Sequence, residues 1–220
     1  MIFTVSEAMH ITDSIDFAYH NPRQRTIIIT IKIRITSMES ESIRHFREVN
    51  LDPGANLEIR SLRTGKPVKI SLKKLNNYQR ETLSNTCDVI QEKLKGTEFE
   101  KSVQALMCLT AFLVTSSRHV NGYSVKLNEA PLIILNSKTF TGRTDEFRVT
   151  VLHELLHFME VSDDRDPLSL EEAIHDVLCY KLLGVSIPPH HWAWTIYPDL
   201  KDEILSNADV IKRDMSSSQH

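Results

Sequence analysis

The sequence predicts an α+β chain, with an N-terminal β-rich region ahead of a mostly helical part that holds one short sheet. Three observations predict it. Residues 26–36 read Thr-Ile-Ile-Ile-Thr-Ile-Lys-Ile-Arg-Ile-Thr, with isoleucine at every odd position from 27 to 35, the period-two pattern of a strand. From Tyr78 onward the period changes, and Leu83, Cys87, Ile90 and Leu94 fall on one helical face. Residues 149–159 form an apolar, helix-like run that contains His153-Glu154-Leu155-Leu156-His157. The change of period sets the expected division: 1–76 β-rich, 77–215 mainly helical, and 216–220 a polar, disordered tail.

Composition narrows the function classes. At 220 residues the chain can form one sizeable domain or two small ones. Its net charge of -3 gives no strong case for nucleic acid and none for an anionic membrane surface. Cys87, Cys108 and Cys179 are widely spaced and odd in number, against a disulfide framework or a cysteine zinc knuckle. Residues 1–24 carry Glu7, Asp13 and Asp16 and lack a basic start followed by an apolar core, and no segment reaches the ~20 apolar residues of a membrane span. The expected location is intracellular. Oligomeric state is not legible.

Taken in order, a short strand is expected at 2–5, then irregular structure with a turn at Asn21-Pro22. The strand at 26–36 buries one face. Residues 39–49 are charged and suit a short helix, and Asp52-Pro53-Gly54 is a turn. Residues 56–62 and 67–72 read as strands joined by Arg63-Thr64-Gly65-Lys66, a hairpin signal. Lys66, Lys69, Lys73 and Lys74 suit a solvated strand face; a nucleic-acid patch would need interleaved aromatic residues, which are missing. The helix from Tyr78 ends at Gly96. A second, strongly apolar helix is expected over 98–116, and Asn121-Gly122 breaks the chain. Strands are expected at 124–127 and 131–135, the latter at a sheet edge because Pro131 begins it. Asp145 begins the His153 helix as cap or first-turn acid. Asp166-Pro167 suits the start of a helix over 167–183 that stops at Gly184, and a last helix is expected over 198–212.

Positions i and i+4 of a helix share a face, so His153 and His157 can direct two imidazoles at one ion. Neutral imidazole is a good zinc ligand, and two nitrogens leave room for a third ligand and a water. Glu154, next to His153, can take a proton from that water. If the next helix packs antiparallel, His157 lies ~6 Å before the turn and Glu172 ~7.5 Å after it. Glu172 is then level with His157, and Asp176 with His153. Glu172 is thus the expected third ligand, and Asp176 the acceptor that orients a ligand imidazole. Glu171 and His175 are rivals on an adjacent face. Ser169-x-x-Glu172 also fits a capping box, which would occupy Glu172 otherwise.

The residues His153-Glu-Leu-Leu-His157 and Glu172-Ala-Ile-His-Asp176 resemble the gluzincins, the thermolysin-like branch of the zincin metallopeptidases. The resemblance covers 131–184 and rests on HExxH in one helix and ExxxD in the next. It implies a zincin-like core of short sheet, active-site helix and following helix, with residues 77–215 as the metallopeptidase domain. It implies zinc on His153, His157 and Glu172, Glu154 as general base, Asp176 steadying a ligand histidine, and an edge strand near 130–135 that pairs with substrate. The spacer between the motifs is shorter than is typical of these enzymes. The oxyanion partner is not aligned; His190, His191, Tyr197 and Tyr180 are the candidates. Small intracellular zincins, among them regulatory peptidases that cut one partner such as a repressor, are a second resemblance by size and helix order.

The expected function is zinc-dependent hydrolysis of a peptide or protein substrate. The alternative is a non-catalytic or regulatory protein-binding module that retains a zincin scaffold, with its metal structural or absent.

Overall fold

A strand leaves its backbone donors and acceptors open on two sides, so the isoleucine run needs partners. In the computed structural model, β2 (Gln24–Arg34) has them on both. It pairs antiparallel with β1 (Ser14–Asn21), in a register running from Ser14 opposite Lys32 to Asn21 opposite Gln24, and at its other end with the short β3 (Asn50–Leu51). The structure describes residues 14–21, 24–34, 46, 50–51, 54–60, 67–97, 99–117, 121–127, 130–159 and 168–217. The strand expected at 2–5, the helix at 39–49 apart from Phe46, and residues 160–167 lie outside them. β1 falls where irregular structure was expected. Its own alternation of Ile15, Phe17 and Tyr19 is the signal that the turn at Asn21 turns into a hairpin.

The predicted hairpin is present as β4 (Asn56–Arg60) and β5 (Pro67–Ser71), antiparallel, with Leu57 opposite Ile70. Helix α1 (Asn77–Leu94) follows. A reciprocal cap starts it: Asn76 Oδ1 accepts from the Gln79 N–H at 2.9 Å, and Gln79 Oε1 accepts from the Asn76 N–H at 3.0 Å. Leu83, Cys87, Ile90 and Leu94 are wholly buried, as their spacing requires.

The next apolar run divides. Helix α2 (Phe99–Leu109) stops at Thr110, and β6 (Ala111–Thr115) takes up what was expected to be the end of a long helix. Ala111 to Thr115 are all buried. A strand covered on both faces shows no alternation, so periodicity could not separate it from buried helix. β7 (Gly122–Leu127) and β8 (Ala130–Asn136) complete a sheet of order β6-β8-β7, with β6 parallel and β7 antiparallel to β8. β8 is therefore the central strand, which corrects the expected edge at 131–135. Pro131 is tolerated because the ladder with β6 starts only at Leu132. The outer side of β6 is bridged by Lys73, which exchanges two backbone bonds with Val114 at 2.8 and 2.9 Å. Among the described residues, β7 is the remaining edge.

The two sheet faces have different covers. Phe112, Val114, Ile133 and Leu135 join the helical core. Ala111, Leu113, Leu132 and Ile134 pack against Leu57, Ile70 and Leu72 of the hairpin. Each large side chain so withdrawn from water contributes ~1.5–3 kcal/mol. The β-rich and helical regions thus share this sheet as a common wall.

After a 3-10 turn (Thr139–Thr141) come α3 (Thr144–Leu156) and α4 (Leu170–Leu183), then the short α5 (Trp192–Ile196) and α6 (Lys201–Ser217). α6 runs five residues past the expected 212 and packs on α4, where Lys181 Nζ meets Asp209 Oδ2 at 2.7 Å. The fold is α+β. Among the described residues no helix is long and apolar enough to cross a membrane.

Candidate metal centre

α3 begins with Asp145 and Glu146 in its first turn, where the helix N-terminus favours negative charge. Its α-helical part ends at Leu156, and His157 opens a 3-10 turn with its N–H bonded to His153 O. The two histidines stay one above the other, ring centroids 4.8 Å apart and planes at 82°.

α4 starts at Leu170 with Ser169 as its cap, later than the expected start; Asp166 and Pro167 lie outside the described residues. Ser169 Oγ accepts the Glu172 N–H at 3.0 Å. This is half of the predicted capping box. The Glu172 side chain is left free and goes to the histidines instead. Gly184, at φ 65° in the left-handed region, closes the helix as expected.

α4 packs on α3 so that the donors converge. Glu172 Oε1 lies 2.7 Å from His153 Nε2 and 3.6 Å from His157 Nε2, and the two nitrogens are 3.1 Å apart. A tetrahedral ion with bonds of ~2.0–2.1 Å needs donors ~3.3 Å apart. One turn further along, Asp176 Oδ1 faces His153 Nδ1 at 3.4 Å. A proton on Nδ1 leaves the Nε2 lone pair facing the centre. His175 is the fourth member: His153, His157, Glu172 and His175 place ligand atoms within 4.8 Å of one another and can hold a metal ion. Both His175 ring nitrogens and Glu172 Oε2 are buried without a protein hydrogen-bond partner. Such groups are costly to leave unsatisfied, and a cation at the centre of the cluster would give the carboxylate oxygen or one imidazole lone pair a partner.

Burial and mutual contacts shift the groups of the cluster in the absence of an ion. Burial works against the Glu172 and Asp176 carboxylates, but hydrogen bonds from the histidines outweigh it. Glu172 is held at about 2 and Asp176 well below the usual carboxylate range. Burial would lower the His153 pKa, yet hydrogen bonds to Asp176, Cys179 and Glu172 drive it well above normal. His175 is pushed well down, by burial first and then by the neighbouring imidazoles. Two ionised carboxylates in a buried cluster thus draw positive charge to its centre.

Glu154 is different. Burial pushes its pKa up, and the charges of His153, His157 and Glu172 all act on it. Its side chain lies against β7, beside the Ser124 hydroxyl, which favours its ionised form, and close to Gly122.

The oxyanion candidates are scattered. His190 is exposed. Tyr197 donates its hydroxyl to Leu168 O. Tyr180 lies edge-on to His191, with ring centroids 5.5 Å apart. His191 is buried with both nitrogens engaged: Nδ1 accepts the Ala193 N–H at 3.2 Å, so Nε2 carries the proton given to Asp176 Oδ2 at 2.9 Å. Trp192 Nε1–H donates to the same oxygen at 2.6 Å. The aromatic stretch after α4 therefore clamps the acid that faces His153. Nothing in the spacing of His191 and Trp192 announces this, since α5 must fold back across α4 to make it.

No known protein family, no curated protein and no solved structure matches this chain.

Proposed function

We propose that this chain is a zinc-dependent peptidase of gluzincin-like design. One observation carries the reading: Nε2 of His153, Nε2 of His157 and Oε1 of Glu172 converge at 2.7–3.6 Å, with buried Glu154 beside them. Two imidazoles and a carboxylate are a catalytic zinc set rather than a calcium or magnesium set, which would be all oxygen. A zinc ion held by these three supplies Lewis acidity, polarising a peptide carbonyl and acidifying water. The protein residues do the rest. Asp176 fixes the His153 tautomer, and Glu172 neutralises charge. Glu154, buried beside the ligands, takes a proton from the attacking water and returns it to the departing amine. The substrate is a peptide or protein.

The second reading has its own observation. His175 adds a fourth donor residue, and four protein ligands are the mark of a closed, structural site. That would suit a protein-binding module with a structural metal. Against it, the His175 ring stacks on His153 at 4.6 Å with planes only 20° apart. In-plane lone pairs of stacked rings run side by side, so His175 must turn before it can join.

Metal analysis and peptide cleavage test both readings. Wild type should hold one zinc per chain and cleave members of a broad peptide library. His153→Ala should lose the zinc, and Glu154→Gln should keep it without cleaving. His175→Ala should change neither property; loss of zinc in that variant would favour the closed site. A wild-type chain without stoichiometric metal would sink the peptidase reading.

A further inference from the structure

We propose that the Gly122–Ser124 face of edge strand β7 is the device that positions Glu154, an inference that rests on the peptidase reading. A Cβ added at Gly122 would lie 2.3 Å from Glu154 Oε1 and 2.8 Å from both Cδ and Cγ. Ordinary non-bonded contacts between carbon atoms lie near ~3.5–4.0 Å. No other amino acid fits without moving the carboxylate. Backbone conformation does not explain this glycine, because it is not one of the positive-φ glycines among the described residues, which are Gly54, Gly96 and Gly184. Space explains it.

Neither backbone is free to move aside. Glu154 sits in a helix whose neighbours Val151, Leu152, Leu155 and Leu156 are wholly buried. On the strand side, Gly122 is in register with Leu135 of β8, and the Asn136 N–H donates to Asn121 O at 2.9 Å. Ser124 is two residues on and so on the same face of the strand. It is buried, and its hydroxyl lies beside the Glu154 carboxyl, where it favours the ionised form. The opposite face of β7 is spent on structure, since Tyr123 and Val125 pack on the hairpin core. The alternation of β7 thus divides into a core face and a face that holds the base, with Gly122 giving room and Ser124 giving direction.

The test is a double-substitution cycle on the zinc-loaded protein, read by thermal unfolding, zinc content and cleavage. Gly122→Ala should lower the unfolding midpoint of the wild-type chain. In a Glu154→Ala background that loss should vanish, because the obstructing carboxylate is gone; this pair keeps the test open if Gly122→Ala alone folds poorly. Gly122→Ala should keep one zinc per chain and lose kcat by ~10²-fold with KM little changed, as for a ~1 Å displacement of a reacting group. Ser124→Ala should lower kcat in the same sense by less, and Ser124→Thr should restore it. Equal midpoint losses in both backgrounds, or full kcat in Gly122→Ala, would overturn the proposal. Coupled midpoints in a chain that cleaves nothing would support the packing of Glu154 on β7 while overturning the peptidase reading.

Discussion

The α4 side and the β7 side of helix α3 hold their groups by different physics. On the α4 side, charge and hydrogen bonds converge: Glu172 on two imidazoles, and Asp176 on a third contact with His153. On the β7 side a single hydroxyl and an empty space hold one carboxyl. The first arrangement attracts a cation; the second keeps a proton acceptor in place. On the proposed reading, retaining metal and moving a proton fall to different neighbours of one helix, and substitutions should separate them.

The largest effect should come from removing the ion. Zinc at ~1,000 times its Kd adds ~4 kcal/mol to stability, which is roughly 10 °C in a domain of this size. Chelation, or His157→Ala, should cost that much in calorimetry and abolish cleavage together. If chelation leaves the midpoint unchanged, the α4 side holds no metal.

Glu154→Gln comes next and should break only the β7 half. Cleavage should fall ~10³-fold, within the range for a general base, with zinc unchanged. In the zinc-free chain the sign of its pH effect is fixed. A folded-state pKa raised by burial means that stability is highest while Glu154 is protonated and falls as pH rises through that value. Glutamine cannot ionise, so the variant's midpoint should gain on wild type as pH increases. A midpoint difference that shrinks with pH would contradict the buried setting of Glu154.

Asp176→Asn should act on the α4 half alone and more gently. Loss of an outer partner of a ligand histidine typically costs 10–100-fold in metal affinity. Competition with a chromogenic chelator reads this directly. Wild-type affinity in Asp176→Asn would mean that the 3.4 Å contact with His153 does not orient the ring.

The same contrast governs what the sequence made legible. The α4 side is written in helical spacing: His153 with His157, and Glu172 with Asp176, are i, i+4 pairs, although α3 ends at Leu156 and α4 begins at Leu170, so the helix ends lie closer to the pairs than the expected turn put them. The helices bounded by Gly96 and Gly184, and the 56–72 hairpin, are legible for similar local reasons. The β7 side is not. Gly122 reads as a chain break beside Asn121, and only the approach of α3 shows that a missing Cβ is what the site needs. β6 was hidden because burial on both faces erases alternation, and the edge passed from β8 to β7 because strand order is set by tertiary pairing. His191 and Trp192 become partners of Asp176 only through the return of α5.

That return supplies the smallest effect. Asp176 Oδ2 accepts two donors, His191 Nε2–H at 2.9 Å and Trp192 Nε1–H at 2.6 Å, while Oδ1 faces His153. Trp192→Phe keeps an aromatic ring and deletes one donor. A hydrogen bond to a charged group is worth ~1.5–3 kcal/mol, so the unfolding midpoint should fall by several degrees. The carboxylate, still held by His191, should stay in place. Zinc affinity should therefore drop by less than the 10–100-fold expected for Asp176→Asn. His191→Ala, which leaves Trp192 in place, should resemble it in affinity. If Trp192→Phe instead weakens zinc as much as Asp176→Asn does, the indole alone fixes the carboxylate, and the α4 side depends on a single contact just as the β7 side depends on a single space.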